Sequence, residues 1–198
     1  GGRVERVPGV LLRRGRSVFV RSLEWLPPVS RGPGRLRVLF EDRWLIAVDK
    51  PAGLPTHETR DVDRPSLTQL VEGHVGRRVF VHHRLDAATS GVVLFAKAAE
   101  ANASLGNSFA EREVTKTYVA LVRMPPIDWP STISIDQPIR VADSGSVRVD
   151  RSGIAALTLI RVLERRPGSL LVEAKPVTGR KHQIRVHLAH IGHPFLEQ

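Results

Sequence analysis

A hairpin in the last quarter of the chain constrains the fold more than any other feature. Residues 155–164 alternate apolar and polar side chains, Pro167-Gly168 supply a turn, and Leu170-Leu171-Val172-Glu173-Ala174 run back as a second strand. A period of two buries one face and wets the other, and so short a turn makes the strands antiparallel. Similar runs recur. Residues 36–48 carry apolar side chains at strand spacing, clearest over Trp44-Leu45-Ile46-Ala47-Val48, and Lys50-Pro51-Ala52-Gly53 ends the run as a turn. Val92 to Lys97, Lys116 to Arg123, Ser131 to Ile139 and Ser146 to Asp150 read as further strands, while Val79-Phe80-Val81 leads into a polar loop.

Helices are few. Ser66 to Val75 puts Leu67, Leu70 and Val71 on one face, with Pro65 or Ser66 at its start. Ala98 to Glu113 and Gln183 to Ile191 are the other two, the last entered through Thr178-Gly179-Arg180. Many strands with interspersed helices and hairpins predict an α+β fold with a mixed, largely antiparallel sheet. Residues 1–34 differ in character, being rich in Arg, Gly and Pro, with Val18-Phe19-Val20 the one strand expected there. They read as a basic extension or linker ahead of a domain spanning 35–198. The segment could touch RNA phosphates, be the remnant of an RNA-binding module, or be left by trimming a longer protein.

Of 198 residues, 41% are hydrophobic, enough for a packed core. There is no cysteine, which removes disulfide and thiolate chemistry and suits a reducing cytoplasm. No apolar run has the length of a bilayer span, so a membrane is not an expected partner. The formal net charge of +10 favours a polyanion, and nucleic acid is the first choice. Arg supplies most of the positive charge, and its planar fork suits phosphate and stacked bases.

One stretch combines a carboxylate with a rigid mount. His83-Arg84-Leu85-Asp86-Ala87-Ala88-Thr89-Ser90-Gly91 is a polar loop that runs directly into the apolar strand after it. His82, His83 and Arg84 make its surroundings cationic, which favours an ionised Asp86. By itself the stretch fits equally an Asp that caps a turn or pairs with Arg84.

Read with three other segments, the loop becomes specific. His83-Arg84-Leu85-Asp86 with Thr89-Ser90-Gly91 resembles the central motif of the RluA family of pseudouridine synthases. Ala47-Val48-Asp49-Lys50-Pro51-Ala52-Gly53-Leu54-Pro55-Thr56-His57 resembles an earlier signature of that family, and Lys116-Thr117-Tyr118-Val119-Ala120-Leu121-Val122 a later one. The last, Pro176-Val177-Thr178-Gly179-Arg180-Lys181-His182-Gln183-Ile184-Arg185-Val186-His187-Leu188, is followed by Gly192-His193-Pro194. The resemblance covers residues 36–198, with the motifs in the family's order.

The resemblance implies the pseudouridine synthase fold with a central cleft, and a cofactor-free isomerase. Asp86 would be the nucleophile on an everted uridine of ribosomal or transfer RNA. It implies that Arg185 is the cation paired with that carboxylate, and that Tyr118 stacks on the uracil and helps remove the C5 proton. Ile184 would line the other side of the base or simply pack in the core. Arg84 could fill the gap left by the everted nucleotide, hold a phosphate, or bridge to a nearby acid; His83 and Thr89, on the same loop, are further candidate RNA contacts. Lys50, Arg180 and Lys181 are candidate phosphate contacts or solvated surface charge. His182, His187, His190 and His193 lie close in sequence, but no zinc-ligand pattern and no completing acid accompany them, so no metal is expected. Gly179-Arg180-Lys181 lacks the glycine-rich loop of a nucleotide site, so no nucleotide cofactor is expected either. A monomer is expected.

The rival reading is a non-catalytic RNA-binding protein on the same scaffold, which would have no need of Asp86. A metal-dependent nucleic-acid hydrolase would need an acidic cluster that the sequence does not offer. Two departures from the family pattern stand out. Met124 occupies a position where glycine is common, and the stretch after Pro194 ends as Phe195-Leu196-Glu197-Gln198 instead of continuing, which reads as a possible truncation.

Overall fold

Ile46, Ala47 and Val48 are buried in succession, so both faces of their strand are covered. That strand is the middle one of a sheet in a computed structural model that describes residues 36–59, 61, 63–123 and 129–196, with the backbone of three short strands before them. The chain divides into two compact units, residues 1–114 and 115–198, so the stretch 35–198 expected as one domain spans both. The early strands are β1 (Arg6–Val7), β2 (Val10–Arg13) and β3 (Ser17–Val20), a small antiparallel sheet where one strand was expected. The remainder of residues 1–34, Met124 and the last two residues lie outside the described ones.

The first unit's main sheet is β4 (Arg37–Glu41), β5 (Leu45–Lys50) and β6 (Gly91–Ala96), antiparallel in that order. Its register sets Leu45 opposite Ala96 and Lys50 opposite Gly91, so β5 ends beside the point where the Asp86 loop passes into β6. Helix α1 (Leu67–Val75) starts at Ser66, whose hydroxyl accepts the Gln69 N–H while the Gln69 side chain accepts the Ser66 N–H. Gly76 closes the helix in the left-handed region, φ 72°. Leu67 and Val71 are the buried pair of its apolar face. Helix α2 (Ala99–Ala110) packs on β6 and ends one turn earlier than expected, before Arg112 takes a positive φ. Residues 79–81 add a single bridge to this sheet, Phe80 to Ala96.

The second unit is built on the predicted hairpin. β11 (Leu157–Arg166) and β12 (Ser169–Pro176) turn at Pro167-Gly168 and are flanked by β7 (Tyr118–Arg123) and β8 (Thr132–Asp136), in the order β7-β12-β11-β8. A short pair, β9 (Ile139–Val141) and β10 (Val147–Val149), stands apart from that sheet. The strand expected over 131–139 breaks at Gln137-Pro138, because Pro cannot donate to a ladder. One face of the large sheet carries Val122, Ile135, Ile160, Leu170, Val172 and Ala174, closed over by Leu188 of helix α3 (Gln183–His190) and by Trp129. Among the described residues no helix is long and apolar enough to cross a membrane.

Candidate active site

In the first unit the Asp86 loop is fixed on both sides of the carboxylate. Before it, Leu85 is buried, and its backbone is held twice by the buried Thr56 hydroxyl. That hydroxyl donates to the Leu85 carbonyl at 2.8 Å and accepts the Leu85 N–H at 3.2 Å. Thr56 is tied in turn to α1, since its own carbonyl accepts the Thr68 N–H and hydroxyl. After it, the Ala87 carbonyl accepts the Gly53 N–H at 2.8 Å and the Lys50 ammonium at 3.1 Å. Thr89 donates its N–H to the Asp86 carbonyl at 3.0 Å, closing a turn. Asp86 itself is half-buried on this clamped backbone. A carboxylate so mounted is held in position before any substrate arrives.

Lys50 was read as a phosphate contact or a solvated surface charge, and its full burial is at odds with both. It is 0% exposed, and its ammonium donates to the carbonyls of Pro51 (3.0 Å), Leu54 (2.7 Å) and Ala87. All three N–H bonds are thereby used, leaving none for RNA. Burial pushes Lys50 down to about 8, an effect that the charge of Asp86 opposes. Gly53 enables the arrangement by turning the backbone at φ 89°.

His83, a candidate RNA contact, braces the loop from within the protein. Its Nε2 accepts the Leu94 N–H of β6 at 2.9 Å, and its ring stacks on Phe109 of α2 at 4.7 Å. His82, also outside the helix, reaches α2 with its Nε2 2.6 Å from Asn102 Oδ1. A Cβ on Gly106 would come within 2.9 Å of that ring, so the bare glycine makes room for it. Arg84 is exposed and close enough to His57 to reinforce the lowering of the His57 pKa that burial causes first. The structure therefore gathers Lys50, His83, Arg84, Asp86 and Thr89 around one loop, with Lys50 and His83 as supports.

In the second unit, α3 is anchored by a buried polar network. Gln183 donates through Nε2 to the Leu157 carbonyl (2.9 Å) and Thr158 Oγ1 (3.0 Å), and accepts through Oε1 from Thr178 and the Arg180 N–H. His187, one turn on, is 0% exposed, 2.8 Å from Thr158 Oγ1, and donates through Nε2 to the Gln137 carbonyl at 2.9 Å. Burial holds its pKa below the ordinary histidine value. With those two side chains inward, Ile184 packs on the sheet core and Arg185 is turned to the surface, its guanidinium 5.1 Å from the Phe195 ring centroid. Tyr118, half-buried, packs on the same core as Ile184.

Arg180 and Lys181 are partly committed within the protein, Arg180 Nε to the Ala155 carbonyl and Lys181 Nζ to the Gly145 carbonyl, each at 3.2 Å. The clustered histidines face different partners. His187 is in the network, while His193 sits over Trp129 at 4.0 Å and reaches the Arg123 carbonyl. Among the described residues no group of three His, Asp or Glu could hold a metal. Sequence reasoning missed Thr56, Gly106 and Gln183; only Gln183 had left a signal, its four-residue spacing from His187 on one helix face.

A family model described as RNA pseudouridylate synthase matches residues 44–190, a stretch that contains the clamped Asp86 loop, Tyr118 and α3. The chain belongs to the RNA pseudouridylate synthase family. Its motifs place it in the RluA family of these synthases, as the sequence resemblance implied. It is 38% identical over 180 residues to tRNA pseudouridine synthase C of Salmonella typhi, covering 81% of this chain and 67% of that protein. It is 35% identical over 192 residues to the mitochondrial tRNA pseudouridine(32) synthase of Saccharomyces cerevisiae, covering 93% of this chain but only 40% of that protein. Among solved structures, human RNA pseudouridylate synthase domain containing 1 is similar with a TM-score of 0.69 at 29% identity, covering 83% of this chain and 69% of that one. The pseudouridylate synthase fold is thus established for this family member, α+β with antiparallel sheets.

Proposed function

We propose that the chain is the catalytic part of an RNA pseudouridine synthase acting on transfer RNA, with Asp86 as nucleophile. The observation that carries the reading is the clamp on Leu85 and Ala87, which immobilises one carboxylate within the stretch that matches the family. The names of the yeast and Salmonella relatives favour transfer RNA over ribosomal RNA.

In this reading Asp86 attacks an everted uridine, at the sugar C1′ or at the base. The N1–C1′ bond breaks, the uracil turns, C5 bonds to C1′, and the bond to Asp86 breaks to return the free carboxylate. The C5 proton then leaves and N1 takes one up, so the product is an isomer of the substrate. Atoms and electrons balance without a cofactor. Arg185 supplies the cation that orients the carboxylate. Tyr118 offers its ring to the uracil, with Ile184 beside it, and the exposed Arg84 compensates for the extruded nucleotide. His83 and Lys50 hold the loop.

The test is Asp86→Asn assayed on transcribed tRNA for pseudouridine formation and for binding. Turnover should fall by about 10³-fold or more, with RNA affinity nearly kept. A variant that turns over at the wild-type rate ends the nucleophile assignment.

A further inference from the structure

Lys116 is a half-buried basic side chain of the second unit that the fold leaves uncommitted. It lies beside the start of β7, and among the described residues its ammonium makes no hydrogen bond or ion pair. Arg180 and Lys181, by contrast, are each engaged by a backbone carbonyl. The Lys116 ammonium lies against Gly179, where a Cβ would meet Nζ at 3.5 Å. That glycine opens the segment leading into α3, so two of the sequence motifs meet at this amine. Residues 116, 118 and 120 are all half-buried and alternate with the exposed 117, 119 and 121, which puts Lys116 and Tyr118 on one side of the chain. Two residues of extended chain separate them by about 7 Å, comparable to the reach from a nucleobase to its own phosphate.

We infer that Lys116, seated against Gly179, takes a backbone phosphate of the RNA strand at the nucleotide whose base meets Tyr118. The inference rests on the RNA reading above. Desolvation alone holds Lys116 below the ordinary lysine value, with no acid compensating it. An arriving phosphate supplies that missing counter-charge. Replacing water around a shielded ammonium also costs less than stripping an exposed one, so the contact is worth more than an average surface lysine.

The experiment measures binding of transcribed tRNA across a salt series, with turnover, for wild type, Lys116→Met, Lys116→Arg and Gly179→Ala. Lys116→Met should weaken binding about tenfold and lower the slope of log affinity against log salt by about 0.7–0.9, the share of one phosphate. Its rate at saturating RNA should stay within about twofold of wild type, and Lys116→Arg should recover most of the affinity. Gly179→Ala keeps the charge and sets a methyl at ordinary contact distance beside the amine, so it should weaken binding without altering the salt slope of any other contact. Unchanged affinity and slope in both Lys116→Met and Gly179→Ala would overturn the inference, as would a loss confined to the rate. A wild type that binds with this Lys116-dependent slope yet forms no pseudouridine would support the phosphate contact and sink the enzyme reading instead.

Discussion

Lys50 shows what one buried charge does to the chemistry and to the stability of the first unit. Its ammonium ties the turn at Pro51 and Leu54 to Ala87, the residue after Asp86. Lys50→Met would leave Ala87 held by Gly53 alone, so turnover should drop about tenfold through loosened geometry while RNA affinity stays. The folded pKa of about 8 lies below the unfolded value of 10.5. The stability this group contributes is therefore greatest above pH 10.5 and is lost as pH falls through 8. Urea unfolding at pH 8 and pH 10 should show wild type gaining stability over that interval relative to Lys50→Met. Equal slopes in the two proteins would mean that the amine is not sealed from water. None of this was visible in the sequence, where a lysine next to a loop in so basic a chain looks like a phosphate contact. Only the register that sets Lys50 opposite Gly91 turns it inward.

Helix α3 is an element whose outer face depends on its inner one. Gln183 and His187 satisfy the strand β11 backbone and Thr158, and that seating decides that Arg185 points out and Ile184 points in. His187 is fully buried and its pKa is lowered, as is that of His193, in both cases by burial first. A histidine whose folded pKa is depressed gives stability that is present above pH 6.5 and is lost as pH falls through the folded value. The second unit's unfolding midpoint should therefore drop between pH 7 and pH 5, and the drop should shrink in His187→Gln; circular dichroism melts at the two values measure it. Elements of this kind were largely legible. The hairpin turn at Pro167-Gly168, the Ser66 start of α1 and the extent of α3 all follow from local pattern and turn chemistry. What local pattern could not show is long-range satisfaction. The carbonyl of Gln137 accepts a hydrogen bond from a histidine fifty residues away, at the point where an expected strand breaks.

At the scale of the molecule, the charge excess is unevenly spread. Residues 1–34 hold seven arginines against two glutamates, and residues 115–198 hold twelve Lys and Arg against seven acids, a net of +5 each. Residues 35–114, which carry Asp86, balance at eleven of each sign. The segment with Asp86 is thus close to neutral overall, and attraction for a polyanion resides in the regions before and after it. Phosphate contacts raise affinity without entering the chemical step, so removing charge there should separate binding from turnover. Arg13→Gln, Arg14→Gln and Arg16→Gln combined should lower tRNA affinity by about one order of magnitude at moderate salt and reduce the salt slope by about 2, while the rate at saturating RNA holds. If affinity and slope stay at wild-type values, the N-terminal arginines do not meet RNA, and the +5 of the second unit, with Lys116 among its members, has to account for the whole electrostatic attraction.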